Sequence, residues 1–245
     1  MLSKKSMNVN DVMISNNIDE RLYPPNFHSR YHHLTCMRRH IERITKEHIY
    51  GYPDQVLLDY GCGIMPYRKL IEPFVSHYIG LDLKDNKYAD LYVNPDGGVG
   101  LRDDIADIVL SIQVLEHVLD PIDYLRECYR LLKPGGKLIL STHGFWIYHP
   151  DPQDYWRWTS KGLQKIVEAQ GLRVIQSTGV MGLASTAVQL FQDSFMPWVP
   201  RKVRSVYSYM MQRFVILFDW LQPDQSKIDN ACVYFLVGQK TSSSQ

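Results

Sequence analysis

Residues 57–63 read LLDYGCG, an apolar run that ends in a carboxylate and a turn with two glycines. A short apolar run bounded by turn residues predicts a buried strand of a parallel sheet. Glycine allows the turn to adopt positive φ and lets a ligand approach the backbone closely. In an open parallel sheet such a turn lies at the carboxyl edge, where ligands bind. The stretch therefore predicts a ligand-binding loop.

The kind of ligand is indicated by three residues around this loop. A dinucleotide fingerprint requires a third glycine three residues after the second, and Pro66 occupies that position. Asp59 would repel a pyrophosphate but suits a ligand that carries an ammonium group. Asp82 follows about twenty residues later, where a carboxylate can accept hydrogen bonds from ribose hydroxyls. These residues favour a methionine-derived ligand and disfavour a nicotinamide-dependent dehydrogenase.

Strand-like and helix-like segments alternate along most of the 245 residues, a length that suits one elaborated α/β domain. Apolar runs predict strands at residues 56–60, 78–83, 108–112, 138–141, 173–176 and 232–237. Helical periodicity and end signals predict helices at residues 31–50, 67–75, 121–132 and 160–170. This alternation predicts the α/β class, with a mostly parallel sheet and helices on both of its faces.

The chain is expected to divide into a flexible leader at residues 1–25 and one domain at residues 26–245. The leader is polar and lacks the apolar core of a signal peptide, which favours a cytoplasmic location. Residues 181–229 depart from the alternation and predict a helical insertion before the last strand. A net charge of +1 gives no reason to expect a nucleic acid as partner.

Four motifs resemble those of the S-adenosylmethionine-dependent methyltransferases. They read DYGCG at residues 59–63, IGLD at 79–82, DIVLSIQVLEHV at 107–118 and LLKPGGKL at 131–138. Their order and spacing are similar to the UbiE-like, type 11 branch over residues 56–180. The sequence IMPYR at residues 64–68 resembles a subgroup that accompanies glycan and cell-surface polysaccharide biosynthesis. The resemblance implies a Rossmann-like three-layer sandwich with a seven-stranded, mostly parallel sheet whose last strand is antiparallel.

The resemblance also implies a cofactor, S-adenosyl-L-methionine, and a set of residues that bind it. It departs from the family pattern at Met65, where many relatives have a third glycine, so the shape of the loop is expected to differ there. The resemblance implies that the methionine moiety contacts Asp59, Gly61 and Gly63, and that the ribose contacts Asp82. It implies that the adenine amine contacts Asp96 and that the sulfonium is bordered by Ser111 and Gln113.

The segment at residues 141–159 is dense in aromatic, histidine and aspartate residues and leaves the sheet at its carboxyl edge. Loops there often carry chemistry, so we expect the acceptor site in this segment. Histidine can take a proton from an acceptor hydroxyl, aromatic rings stack on sugars, and arginine binds acidic groups. Alternatively, residues 154–159 form a packing turn that caps the next helix. The candidate catalytic residues are His143, Asp154 and His149, and the candidate acceptor-binding residues are Tyr155, Arg157 and Trp146.

Apolar residues at helical spacing predict a helix at residues 203–221, within the insertion. This helix can cover the acceptor pocket, form a homodimer contact or lie on a membrane surface. A helix packed on its own domain is the simplest interpretation. The cationic residues that suit an anionic lipid here are Arg201, Lys202, Arg204 and Arg213.

Three functional hypotheses follow from these patterns. The leading one is methyl transfer to an oxygen of a small molecule or a sugar-containing acceptor. The second is methylation of a quinone or another lipid, which the insertion helix favours. The third is a non-catalytic, cofactor-binding partner protein. The four cysteines form no CxxC pair and the sequence shows no cluster of metal ligands, so neither disulfides nor a metal are expected.

Overall fold

The computed structural model describes residues 18–52, 54–94, 97–151 and 153–241. Its strands are β1 (Val56–Tyr60), β2 (His77–Asp82), β3 (Leu91–Tyr92), β4 (Ala106–Ile112), β5 (Leu132–His143), β6 (Leu172–Val180) and β7 (Val233–Lys240). They form one seven-stranded sheet in the order β3-β2-β1-β4-β5-β7-β6. Strand β7 runs antiparallel to both β5 and β6, and the other pairs are parallel. The α/β class with an antiparallel last strand is confirmed.

Helices connect these strands. They are α1 (Tyr31–His48), α2 (Arg68–Ile71), α3 (Pro121–Leu131), α4 (Ser160–Glu168), α5 (Leu183–Phe195), α6 (Arg204–Leu221) and α7 (Asp224–Asp229). Helix α3 begins after Asp120, whose side chain accepts hydrogen bonds from two backbone amides of the first turn. The helix expected at residues 67–75 is divided into α2 and a 3-10 turn, Glu72–Phe74, because Pro73 has no N–H to continue it.

Two apolar layers cover the two faces of the sheet. On one face, Leu125 of α3 and Leu163 of α4 belong to the same buried cluster as Leu138 of β5. On the other face, Met37 of α1 shares a cluster with Ile139, the next residue of β5. All five side chains are at most 2% exposed. Because neighbouring residues of a strand point to opposite faces, this pattern gives a three-layer sandwich.

The sheet order places a crevice between β1 and β4. Strand β1 pairs with β2 on one side and with β4 on the other, so the connections leave in opposite directions. Ligands bind at such a switch point, outside the carboxyl ends of the strands. The residues that follow β1 and β4 therefore form the candidate site.

Two segments outside the alternating core also have defined positions. Residues 18–22 are helical, and Leu22 is 2% exposed within the cluster that contains Met37. This part of the expected leader is therefore packed on the domain, whereas residues 1–17 lie outside the described residues. Helices α5, α6 and α7 connect β6 to β7. In the described ranges, no helix has the length and apolar character that crossing a membrane requires.

Candidate active site at the carboxyl edge of the sheet

The turn after β1, residues 61–65, is called the glycine loop here. Gly61 has φ +79°, and a Cβ at this position would lie 2.6 Å from the Val114 side chain. Its amide and that of Cys62 donate to the Leu81 carbonyl, at 2.8 and 3.0 Å. The loop is therefore fixed to the end of β2 by backbone contacts, and any side chain at position 61 would collide with the segment after β4.

Asp82 lies directly against the glycine loop. Its Oδ2 accepts from the Gly63 amide at 2.8 Å and from Asn86 Nδ2 at 2.7 Å. Its Oδ1 accepts from the Leu83 amide at 2.7 Å. A carboxylate offers about four lone-pair sites, so one site on Oδ1 remains for a ligand hydroxyl. Asn86 is a functional candidate that the motif comparison did not indicate.

Asp59 is a buried carboxylate, 5% exposed, at the end of β1. Its Oδ2 accepts a hydrogen bond of 2.5 Å from the hydroxyl of Tyr78. Burial raises the pKa of Asp59 to about 7, although the Tyr78 hydrogen bond opposes the shift. A cationic group that reached Asp59 would favour its ionised form.

A cavity of about 340 Å³ lies beside the end of β4. Gln113, with φ +58°, lines this cavity, while the next residue, Val114, lies against Gly61. The glycine loop and the cavity thus share one short segment. The polar and aromatic lining includes His28, Arg30, His33, Tyr67, Gln113, His117, His143, Trp146 and His149.

A buried carboxylate and several imidazoles meet at one wall of the cavity. Glu116 is 0% exposed, and its Oε2 accepts from Thr142 Oγ1 at 2.8 Å. Its Oε1 lies 3.6 Å from His143 Nε2 and has no hydrogen-bond partner among the described residues. Ligand atoms of Glu116, His143 and His149 lie within 4.8 Å of one another. This arrangement can accept a proton or hold a divalent cation.

Three imidazoles at the cavity, those of His33, His143 and His149, are neutral near pH 7. Burial lowers the pKa of His33 to about 3 and that of His143 well below its usual value. Burial also lowers the pKa of His149, although the nearby Asp154 carboxylate opposes the shift. A neutral imidazole is a proton acceptor, so the wall has the protonation state that a general base needs.

Asp154 and Arg157 hold each other behind the cavity wall. The guanidinium of Arg157 donates to both Asp154 oxygens at 2.6 Å, and Asp154 Oδ2 lies 3.4 Å from His149 Nδ1. Burial opposes ionisation of Asp154, but hydrogen bonds from Arg157 and the His149 amide lower its pKa to about 2. The remaining donors of Arg157 bind the backbone carbonyls of Trp146, Ile147 and Trp156.

Comparison with known proteins identifies the family. The family described as "Methyltransferase domain" matches residues 30–177, which include the glycine loop, Asp82 and most of the cavity wall. The chain belongs to this family. No subgroup within it is distinguished by the match.

Individual relatives match this chain only in part. A Mycolicibacterium smegmatis protein named probable S-adenosylmethionine-dependent methyltransferase is 29% identical over 54% of this chain and 57% of its own. A ubiquinone biosynthesis O-methyltransferase of Cereibacter sphaeroides is 35% identical over 35% of this chain and 40% of its own. The chain spans about half the length of these curated relatives.

A solved structure resembles the fold. It is the Haemonchus contortus phosphoethanolamine N-methyltransferase 2 in complex with S-adenosyl-L-methionine. Its TM-score is 0.54 at 15% identity, with 92% of this chain and 60% of that chain covered. At this identity the likeness concerns the fold alone.

The structure brings together several of the residues that the sequence indicated. His143, Trp146 and His149 line the cavity, and Gln113 forms its border with the glycine loop. Tyr155 is 50% exposed and does not belong to the cavity lining. Asp96 lies outside the described residues.

Ser111 occupies a different place from the one expected beside the sulfonium. Its side chain is 0% exposed, and its Oγ accepts from the Tyr124 hydroxyl of α3 at 2.8 Å. Alternation along β4 puts Ser111 on the same face as Val109, toward α3 and away from the cavity. Gln113 escapes this alternation because its positive φ turns the chain after the strand.

Sequence reasoning missed the contribution of the N-terminal helix region to the cavity. The Arg30 guanidinium lies 4.3 Å from the centre of the Trp146 ring, and His33 stacks on the same indole at 4.9 Å. Residues 28–37 carry no cofactor motif, and their place in the cavity depends on how α1 packs against the sheet. The motif at residues 107–118 contains Glu116, but its hydrogen-bond donor, Thr142, lies on β5 and outside that motif.

Proposed function

We propose that this protein is a methyltransferase that uses S-adenosyl-L-methionine to methylate an oxygen of a small-molecule acceptor. One observation carries the proposal: residues 113 and 114 join the glycine loop to a cavity lined in part by the neutral imidazoles of His33, His143 and His149. A cofactor on the loop and an acceptor in the cavity would then meet at the end of β4. Proximity of the reacting atoms supplies a large part of the rate in such transfers.

The cofactor contacts follow from the groups around the loop. The ammonium of the methionine moiety binds near the buried Asp59 carboxylate, which the charge stabilises. One ribose hydroxyl would donate to the open lone pair on Asp82 Oδ1. A second hydroxyl can replace Asn86 as a donor to Asp82 Oδ2. Gly61 and Gly63 leave room for the ligand because neither carries a side chain.

His149 is the proposed general base, and Asp154 is its positioning residue. The His149 side chain is 33% exposed toward the cavity, whereas that of His143 is 4% exposed and stacked on Trp146. S-adenosyl-L-methionine would supply the methyl group and would leave as the neutral thioether. His149 would accept the hydroxyl proton of the acceptor, and the Asp154 carboxylate would stabilise the resulting imidazolium.

A sugar-containing acceptor is the first candidate, because the cavity offers many imidazole and guanidinium groups to hydroxyls. Trp146 is not an open stacking platform, since Arg30 and two histidines contact its ring. A quinone or lipid acceptor is the second candidate. It is supported by the relatives named ubiquinone biosynthesis O-methyltransferase and by the exposed apolar helices between β6 and β7.

The first experiment is calorimetric titration of the purified protein with S-adenosyl-L-methionine and, separately, with NAD. Binding of the methyl donor alone supports the proposal, and binding of NAD alone contradicts it. Turnover is then measured by methyl transfer to nucleotide sugars, lipid-linked glycans and hydroxylated quinones. Cofactor binding without transfer to any of these acceptor classes would favour a non-catalytic partner protein.

A further inference from the structure

Helices α5 and α6 have inverted polarity. A helix on the surface of a globular protein normally buries its apolar stripe and exposes its polar side. The buried residues of α5 are all polar, and so are three of the four buried residues of α6. These buried residues are Ser185, Thr186, Gln189 and Gln192 on α5 and Ser208, Gln212, Val215 and Asp219 on α6.

The outward side of the two helices is apolar, and we call it the outer face. On α6 its residues recur every three or four positions, which is one stripe along the helix. The exposed fractions of the outer-face residues on both helices lie between 40% and 61%. The outer face consists of Leu183, Phe191 and Phe195 on α5 and Val206, Met210, Phe214, Leu217 and Leu221 on α6. Trp198 and Trp220 extend beyond it, with 78% and 77% exposure.

Hydrogen bonds fix this orientation from the inside. Gln189, Gln192 and Gln212 each donate from Nε2 to the Ser29 carbonyl, at 3.1, 2.7 and 2.9 Å. Asp219 accepts from Ser185 Oγ at 2.9 Å through Oδ1 and contacts His32 Nε2 at 3.0 Å through Oδ2. Turning the helices over would expose these side chains to water and leave the Ser29 carbonyl and the His32 ring without these partners.

The charge on this region has one sign. The only acidic residues of segment 183–221 are Asp193 and Asp219, whose side chains are 13% and 11% exposed against the domain. Four basic residues accompany the outer face, Arg201, Lys202, Arg204 and Arg213. A symmetric dimer would place the same patch against itself and bring these positive charges together. An apolar face with basic flanks instead complements anionic lipid headgroups.

We propose that the outer face of α5 and α6 binds an anionic membrane surface, with both helices lying along the bilayer. The apolar stripe enters the headgroup–acyl boundary, and the two exposed tryptophans occupy the interface, where indole rings are enriched. Arg201 and Lys202 contact lipid phosphates. This binding does not depend on the methyltransferase activity proposed above.

The location of the outer face matters for the acceptor cavity. The Ser29 carbonyl that the glutamines bind precedes Arg30, whose guanidinium reaches both Asp193 of α5, at 3.2 Å, and the Trp146 ring. The helices that face the membrane therefore hold one wall of the cavity. If the proposed function holds, an acceptor with a lipid tail would be methylated while its tail remains in the bilayer.

The test is flotation of the full chain with vesicles of phosphatidylglycerol and phosphatidylcholine, compared with vesicles of phosphatidylcholine alone. Binding to the anionic vesicles, weakened by salt, is expected. Leu217→Glu should lower the partition coefficient at least about tenfold, since it removes apolar contact and adds negative charge. Arg201→Gln with Lys202→Gln should lower it about fivefold for each positive charge removed. The matched control is Ile122→Glu on α3, because Ile122 and Leu217 are both 45% exposed.

Three outcomes would overturn the proposal. One is a wild-type protein that stays unbound with anionic vesicles, and another is an Ile122→Glu effect equal to that of Leu217→Glu. The third is a dimer in light scattering that Leu217→Glu converts to monomer without vesicle binding by either form. Circular dichroism checks that each variant is folded. Cofactor titration and turnover assays of the same variants separate this result from the proposed function, which fails if the methyl donor does not bind or if no acceptor is methylated.

Discussion

The glycine loop and the acceptor cavity meet at the end of β4, yet they are built in different ways. Contacts within residues 59–86 hold the loop, and many of them involve backbone atoms. The cavity draws its wall from distant segments, with His33 of α1 stacked on Trp146 and His149 in contact with His117. A site built from one motif can be recognised in a sequence, whereas a site built by packing appears only when the chain is folded.

The comparison predicts the largest loss of activity from the cavity. His149→Ala should lower kcat by about 10²–10⁴-fold, because the acceptor hydroxyl loses its proton acceptor. The dissociation constant of S-adenosyl-L-methionine should stay unchanged, which calorimetry checks. Tyr148→Phe is the control, since Tyr148 is the preceding residue and is 69% exposed.

Unchanged turnover in His149→Ala would contradict the assignment of the base. Dialysis against a chelator tests whether His149 instead binds a metal ion together with Glu116 and His143. If turnover is lost and returns with a divalent cation, Glu116, His143 and His149 act as metal ligands, which their 4.8 Å grouping allows.

A smaller effect is expected at the glycine loop, and it concerns cofactor affinity and not kcat. Asp82→Ala should weaken binding of S-adenosyl-L-methionine by about 1.5–3 kcal/mol, the value of hydrogen bonds to a charged group. At saturating cofactor, kcat should change little, so the two halves of the site separate kinetically. Asp85→Ala is the control because Asp85 is an exposed acid in the same turn. Equal weakening in both variants would mean that the effect is general electrostatics.

The smallest effect concerns pH and Asp59. Because its pKa lies at about 7, the carboxylate that pairs with the ammonium is lost as the pH falls through neutrality. Cofactor affinity should therefore fall by up to about tenfold for each pH unit below 7. Calorimetry in two buffers of different protonation enthalpy should detect proton release on binding near pH 7.

The stability of the free protein should respond in the opposite sense. The pKa of Asp59 rises from 3.8 to about 7 on folding, so the folded protein binds this proton more tightly. Its contribution to the free energy of unfolding is thus present below pH 4 and is lost as the pH rises through about 7. Asp59→Asn, which can still accept from Tyr78, should abolish the dependence of binding and reduce that of stability, because burial also raises the pKa of Glu116 to about 7. A persistent pH effect on binding in this variant would assign the proton to another group.

The sequence predicted those features that depend on local chemistry. The α/β class follows from the alternation of strands and helices, and Asp120 shows how one side chain determines where a helix begins. The position of Ser111 was not predicted, because motif similarity did not register which face of β4 it occupies. The orientation of α6 was also out of reach. Its apolar spacing predicted a helix, but the polar partners that turn the stripe outward, such as His32, lie 187 residues away from Asp219.

The hydrogen bonds of Arg157 have a consequence for changing acceptor specificity. Arg157 binds Asp154 and the carbonyls of Trp146 and Ile147, so it joins residues 146–147 to Asp154 in a closed frame. Residues between these ends, such as the exposed Tyr148, can then be randomised in a library while the frame keeps its shape. Selection for new acceptors should retain arginine at position 157 in active clones and diversify the positions that it encloses.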